Sequence, residues 1–392
     1  MLKKRIGILT GGGDVQPLNA VLAATCQRAA DKGIEVLGFI KGWEGVLENR
    51  YVPLKKVSID PRVGGTILKS SRMNLAKISG GPDAVLKNIH SLGLLGLIVV
   101  GGEDTLSNSL IIRDFPHVLI TKTIDNDVGI MPKSKKRIDL KKIVNYFTLG
   151  YPTAAEKISK FVSLQYGLRS TAYSHERVIV VESMGMHAGW LALASSMGNP
   201  DFIIIPEFPL DYDEFKEKLT ERFLRQRHAI VVVAEGAQWK NGSFIAADEK
   251  EQDDFGHPRF KGAATILANR LKEDLKSRFD TRNVNAVNPS YLYRSGSPGA
   301  LDLEFGRKMG HKAVQLLAGG IRESFLLTIK KTEKKFEIRP FALSGIESMG
   351  SLHRLVDPAF YSEEEYSATK EAKRYLRYLI DEIPPMRYGV SS

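Results

Sequence analysis

The sequence predicts an α/β protein of two Rossmann-like lobes, each a mainly parallel sheet covered by helices, with the active site in the cleft between them. Three observations carry this expectation. Short, continuous, β-branched runs such as RIGILT, LLGLIVV, RVIVVES and AIVVVA alternate with helix-like stretches, as parallel strands buried on both faces do. The alternation occurs twice, before and after about residue 150. Glycine-rich turns follow the C-terminal ends of several of these runs, where open α/β sheets bind ligands.

Taken in order, RIGILT predicts the first strand, a turn at Gly11–Gly13 and a helix from about Pro17 to Lys32. Pro17 suits the first helical turn, where a missing N–H costs nothing. EVLGFI follows as a strand, PDAVLKNIHSLG as a helix before LLGLIVV, and DTLSNSLIIRDF as a helix before HVLITKTI. The second series runs RVIVVES, HAGWLALASSMG, FIIIPE, YDEFKEKLTERFLRQR and AIVVVAE. The stretch EEEYSATKEAKRYLRYLIDEI predicts an amphipathic terminal helix with Glu-to-Lys/Arg pairing. One lobe is expected to span residues 1–137 with about 290–340. The other spans 138–289 with a C-terminal helix at about 341–392. Between them, MPKSKKRIDLKK carries Lys133, Lys135, Lys136, Arg137, Lys141 and Lys142. It reads either as a solvated linker or as a basic flap that closes over an anionic substrate.

The 392 residues suffice for two ordinary domains, with 43% hydrophobic and 26% charged residues. The apolar runs are too short to span a bilayer. The start MLKKRIGILTGGG continues into a glycine turn instead of a cleavage site, so no signal peptide and no membrane association are expected. The single Cys26 excludes an internal disulfide and an all-cysteine metal site, which fits a reducing cytoplasm. A net charge of +11 points to anionic partners. No zinc-finger spacing, RNP-like strand or basic heptad helix is present, so small phosphorylated ligands are favoured over nucleic acid. No paired-histidine metal motif occurs. His187 and Trp190 read as packing or capping groups, and Trp43 as core.

Three motifs carry chemistry. TGGGDVQPLNA lets backbone approach a phosphate closely. VVGGEDTLSN is neither a Walker loop nor G-x-G-x-x-G. Its Glu103 and Asp104 make sense where Mg²⁺ sits between protein and phosphates, or as acids complementing a helix dipole. In TKTIDND, Lys122, Thr123, Asp125 and Asp127 lie along a segment expected to be extended. One cation, one hydroxyl and two carboxylates are then available at one place. Such a cluster suits phosphoryl transfer, with one Asp as base, one on metal and Lys offsetting phosphate charge.

At these motifs the chain resembles the phosphofructokinase family. GGGD, GGTILKSSR, GGEDT, KTIDND, ESMGMHAG, VVAEGA and YLYRSGSP fall in the family's order from the N-terminus to about Gly319. The resemblance implies a donor and Mg²⁺ lobe first and a sugar-phosphate lobe second. It implies Asp125 as the base for the sugar 1-hydroxyl, Thr123 as an orienting group, and Glu103 and Asp127 as Mg²⁺ carboxylates. Gly12 would offer backbone to the transferring phosphoryl group, and Arg72 would bridge donor and acceptor phosphates. Met184, Gly185 and Glu235 would line the sugar, with Tyr291 and Arg294 at its 6-phosphate. Arg177 matches an arginine that reaches a neighbouring subunit's 6-phosphate, which implies a homodimer or homotetramer.

The same resemblance bears on the donor. ATP-using members usually carry a small glycine where this chain has Asp104. A carboxylate there fills space and repels an α-phosphate. Like charges about 4 Å apart repel by about 1–4 kcal/mol at effective dielectric constants of roughly 80 to 20. Lys122 is the usual companion of this Asp. The implied reaction is reversible, Mg²⁺-dependent phosphorylation of fructose 6-phosphate by pyrophosphate. ATP as donor, sedoheptulose 7-phosphate as acceptor, and a non-catalytic sugar-phosphate sensor are the alternatives. Three departures bear on efficiency: Gln16–Pro17 replaces a proline–glycine pair, Met186 replaces an arginine, and Asn285 replaces a basic residue for which Arg282 is the nearby substitute.

Overall fold

The computed structural model describes residues 4–112, 115–132, 137–252, 258–260, 262–345 and 353–385. Its larger sheet contains β1 (Arg5–Thr10), β2 (Glu35–Phe39), β3 (Tyr51–Pro53), β4 (Leu94–Gly101), β5 (His117–Thr123) and β6 (Leu149–Gly150). β13 (Phe325–Lys331) and β14 (Phe336–Ala342) extend the same sheet. The order is β14-β13-β5-β4-β1-β2-β3, with β6 against the end of β5. The central pairs are parallel, and only β2–β3 and β13–β14 are antiparallel. A second, wholly parallel sheet runs β12-β7-β9-β8. Its strands are β7 (Val178–Ser183), β8 (Phe202–Ile204), β9 (Ala229–Ala234) and β12 (Val284–Val287). A hairpin of β10 (Ala247–Gln252) and β11 (Pro258–Phe260) stands apart from both sheets.

The β-branched runs form strands because both faces are covered. Every residue of β7 and of β9 is buried. On the larger sheet, α1 (Leu18–Ala30) lies beside α10 (Ala300–Ala318) on one face. Here Gly306 and Gly310 let α10 approach α1 closely: a Cβ on Gly310 would fall 2.7 Å from the Val21 carbonyl oxygen. Leu37, Val99 and Leu119 on the other face pack with Val85 and Ile89 of α3 (Gly81–Ser91) and Leu106 of α4 (Glu103–Ile111). Between the sheets, α5 (Tyr151–Val162) packs through Ala155, Ile158 and Val162 into a core shared with Trp190 and Leu193. The buried carboxylate of Asp302 on α10 accepts from the amides of Gly150 and Thr153 at 2.7 and 2.9 Å, capping α5. Trp43 and Trp190 are core residues, at 2% and 0% exposure.

Two elements differ from expectation. HAGWLALASSMG is α-helical only over α7 (Trp190–Ala194) and tightens into a 3₁₀ turn at Ser195–Gly198. The predicted C-terminal helix begins instead as a hairpin, β15 (Tyr361–Ser362) with β16 (Ser367–Ala368). Only Lys370–Leu376 is α-helical there, with the Thr369 hydroxyl accepting from the Ala372 amide. Tertiary contacts override helix propensity at this point. Buried Tyr361 donates to the Ile203 carbonyl at 2.6 Å, and the Ile203 amide donates to the Tyr366 carbonyl at 2.7 Å.

Of the basic interlobe segment, Lys133, Lys135 and Lys136 lie outside the described residues. Ile138, Leu140 and Ile143 are buried, and exposed Lys141 pairs with Glu333 at 2.8 Å. The described part is therefore anchored to the core by three apolar side chains, which a solvated linker would not be.

Candidate active site

β5, β4 and β1 are neighbours in the larger sheet, with Val100 in register with Thr10 and Gly101 with Thr121. The turns after their C-terminal ends therefore meet. Gly12 is held at φ +76°, where an L side chain is strained, and a Cβ there would fall 3.1 Å from Lys122 Nζ. The Gly12 amide donates to the Ser71 carbonyl at 3.0 Å, so its N–H is engaged by protein. A Cβ on Gly13 would fall 2.9 Å from Arg294 Nη1. The glycines thus make room for two cations beside the turn.

The motif TKTIDND does not continue as an extended strand. β5 ends at Thr123, and the chain turns. Thr123 Oγ1 accepts from the Asp125 amide at 3.0 Å, and Asn126 adopts the left-handed conformation at φ +55°. Threonine and asparagine are suited to these two positions. The turn, not strand alternation, brings Lys122, Asp125 and Asp127 to one place.

Lys122 is buried at 2% exposure, and its ammonium donates to the Gly13 carbonyl. Burial, with Arg294 and Arg72 adding like charge against Asp14 and Asp125, pulls it down to about 7. Asp125 Oδ1 and Asp127 Oδ1 are sealed from solvent and have no hydrogen-bond partner among the described residues. Burial and the neighbouring Asp125 push the Asp127 carboxyl well above the usual carboxylate range. Glu103 and Asp104 open the first turn of α4, with Glu103 Oε2 3.4 Å from His353 Nδ1. Arg72 is exposed, at the end of the SSR stretch.

The second sheet supplies the facing wall. Glu235 follows β9 and accepts from the Gly185 amide, after β7, at 3.1 Å. Burial pushes Glu235 up to about 7, with Asp125 raising it and Arg294 opposing. Glu235 therefore senses the first lobe's carboxylate across the cleft. Met184 is half-buried against the core. Arg294 lies against Gly13 and near Lys122, beside the turn after β1. Tyr291 is 73% exposed.

Arg177 is not in this cleft. It precedes the first residue of β7, at the end of the strand opposite Met184, and donates to Thr171 Oγ1 at 2.6 Å. Asn285 is paired with Ile179 near the same edge, and exposed Arg282 is engaged with Asp280 at 2.7 Å. The Gln16 departure has a structural role. Its buried amide donates to the Tyr293 carbonyl at 2.6 Å, tying the turn after β1 to the YLYR loop.

Sequence reasoning missed the groups behind the site. Arg354, Tyr375 and Glu207 surround the DND turn and the segment leading to α7. Glu207 accepts from the amides of Gly189 and Val356 at 3.0 and 2.8 Å. Their stretches have no motif-like spacing, and the only signal was an arginine and a histidine adjacent in an otherwise ordinary segment.

Parallel strand ends that present glycine turns, a buried lysine and facing carboxylates to one cleft define a phosphotransferase-type α/β protein. The chain belongs to the phosphofructokinase family, which it matches over residues 5–317. It is 37% identical over 367 residues to a pyrophosphate--fructose 6-phosphate 1-phosphotransferase of Dictyoglomus thermophilum, covering 92% of this chain and 97% of that one. It is also 37% identical over 323 residues to ATP-dependent 6-phosphofructokinase 3 of Streptomyces coelicolor, covering 81% and 88%. The crystal structure of the pyrophosphate-dependent phosphofructokinase from Marinobacter aquaeolei shares the fold, with TM-score 0.78 at 20% identity over 99% of this chain and 95% of that one.

Proposed function

We propose that the protein transfers a phosphoryl group from pyrophosphate to the 1-hydroxyl of fructose 6-phosphate, reversibly and with Mg²⁺. The observation that carries the donor choice is Asp104, in the first turn of α4, which follows the strand next to the one that ends at Lys122 and Thr123. Relatives named for either donor reach the same 37% identity, the pyrophosphate one over more of the chain, and this chain's own residues bear on the choice. A carboxylate there repels an α-phosphate, and Lys122 matches the charge of the smaller donor.

In the forward reaction the sugar O1 attacks the near phosphorus. A new O–P bond forms, the bridging P–O bond breaks, and orthophosphate leaves. Asp125 takes the hydroxyl proton, and its unpartnered Oδ1 has a lone pair available for it. Lys122 offsets phosphate charge, and Thr123 holds the Asp125 amide. Glu103 and Asp127 fit Mg²⁺. Asp127 Oδ1 is an orphaned, sealed acceptor, and Mg²⁺ uses one or two carboxylates with waters and phosphate oxygens. A cluster of three or more ligating side chains, absent among the described residues, is not required. Mg²⁺ held by Glu103 and Asp127 would supply positive charge to offset that of the transferring phosphoryl group.

The first lobe serves donor and metal, the second the sugar phosphate. Arg177, turned away from its own cleft, supplies the 6-phosphate contact of a neighbouring subunit, so the active form is at least a homodimer. The single Cys26 and the small-molecule chemistry suit the cytoplasm.

Initial rates with pyrophosphate and with ATP, each against fructose 6-phosphate and sedoheptulose 7-phosphate, test the reading. Pyrophosphate with fructose 6-phosphate is expected to be the best pair, and Asp104→Gly to improve ATP relative to pyrophosphate by about ten- to a thousandfold. Preference of the unmodified protein for ATP would sink the donor assignment.

A further inference from the structure

Asn126 separates the two acids of the DND turn, so its backbone dihedrals set where Asp125 and Asp127 point. It stands at φ +55°, a left-handed conformation that asparagine tolerates and that its surroundings fix. Apart from the Thr148 amide, those surroundings come from the C-terminal segment, beyond the residues 5–317 matched to the family.

Arg354 is 2% exposed, and its guanidinium is spent on main chain around this turn. Nε and Nη2 donate to the Asn126 carbonyl at 2.9 and 2.6 Å. Nη2 also donates to Asn126 Oδ1, and Nη1 donates to the Asn145 carbonyl at 2.6 Å. The Arg354 amide donates to the Asp127 carbonyl, and His353 makes an antiparallel bridge with Val128. The guanidinium stands 5.1 Å over the Trp190 ring, and Trp190 Nε1 donates to the Arg354 carbonyl at 3.0 Å. From the helix Lys370–Leu376, the Tyr375 hydroxyl accepts from Asn126 Nδ2 at 2.8 Å and donates to the Tyr146 carbonyl. Asn126 Oδ1 completes the set by accepting from the Thr148 amide at 3.1 Å. Backbone and side-chain atoms of this residue are thus held from several directions.

We infer that Arg354 and Tyr375 are positioning residues for the reaction: the C-terminal segment clamps Asn126 and thereby aims the Asp125 and Asp127 carboxylates. A stability role alone would not concentrate a buried, planar donor set on the one residue between two reactive carboxylates. A fork of fixed donors transmits geometry that a lysine would not. This inference rests on Asp125 being the base.

The test compares Tyr375→Phe, Arg354→Lys and Arg354→Met with the unmodified protein by steady-state kinetics and thermal unfolding. Asp125→Asn is the reference for the base assignment. Tyr375→Phe keeps the ring and removes only the hydroxyl, so it keeps the question answerable if an Arg354 variant does not fold. The expected result is a kcat lower by about tenfold in Tyr375→Phe and by up to about a hundredfold in the Arg354 variants. KM for both substrates stays within about twofold, because ground-state contacts are elsewhere. An unchanged kcat in folded Tyr375→Phe overturns the inference. So does a rise of both KM values in proportion to lost stability, which marks general loosening. If Asp125→Asn retains activity, the base assignment fails instead, whatever the clamp variants do.

Discussion

The ammonium of Lys122 donates to the main-chain carbonyl of Gly13, joining the end of β5 to the turn after β1. A cation is thereby stored beneath the turn after β1, buried near two arginines and held at about 7. An arriving polyanion favours its charged form.

Lys122 sets a pH dependence. In the free enzyme it loses its proton above about pH 7, so kcat/KM for pyrophosphate is expected to fall on that side. Its effect on stability has the opposite direction. The folded value lies below the ordinary 10.5, so the native state binds fewer protons than the unfolded state between about 7 and 10.5. The burden of burying the ammonium is full below pH 7 and fades as pH rises toward 10.5. Calorimetry of ligand-free Lys122→Met should therefore show a higher Tm than the parent at neutral and acid pH, with the gain vanishing at high pH. A gain that grows with pH contradicts this.

Asp125→Asn removes the proposed proton acceptor and keeps the shape. We expect kcat to fall by about 10²–10⁴-fold, while titration calorimetry finds fructose 6-phosphate affinity preserved. The same change removes a like charge from Glu235, whose carboxyl should then titrate below its present value of about 7.

Arg177 predicts complementation between subunits. Arg177→Ala and Asp125→Asn are each expected to be nearly inactive alone. Co-expressed, they form mixed dimers in which one of two sites has both residues intact. Random pairing then restores about a quarter of the parental sites. Failure of mixed protein to exceed either parent would place Arg177 outside the reaction.

Asp302 predicts a stability effect without a catalytic one. Its buried carboxylate accepts from Gly150, from the Thr153 amide and from the Thr153 hydroxyl. Asp302→Ala leaves those donors unpaired in the core and is expected to cost about 3 kcal/mol in urea unfolding. Burial pushes Asp302 up to about 6, above its ordinary 3.8. The native state therefore holds this proton more tightly, and the stabilisation is lost as pH rises through about 6. The parent's stability should accordingly vary with pH between about 4 and 6 in a way that the variant's does not.

Much of this architecture was legible from local pattern. Continuous β-branched runs such as AIVVVA read correctly as strands buried on both faces, because such residues have few other stable placements. GGEDT and KTIDND read as a phosphate site because glycine and carboxylate side by side have few structural uses. The terminal stretch was misread because its charges pair equally well on a helix surface, while buried Tyr361 and Tyr366 decide for a hairpin. The alternation in TKTIDND suggested an extended segment, and the Thr123 hydroxyl with left-handed Asn126 makes it a turn.

By itself the sequence determined the two-sheet α/β class, and it singled out the residues proposed for the reaction, with Asp104 as the proposed donor selector. The class follows from residue chemistry and short-range spacing; the individual roles follow from the resemblance of the motifs to the phosphofructokinase family. Tertiary structure alone decided that Gln16 reaches Tyr293, that Arg177 faces away from its own cleft, and that Arg354 and Tyr375 grip Asn126. Those contacts join residues more than two hundred positions apart or depend on which end of a strand a side chain occupies. Hydrogen bonds of that kind leave no periodicity in the chain; they exist only once packing has brought the partners within reach.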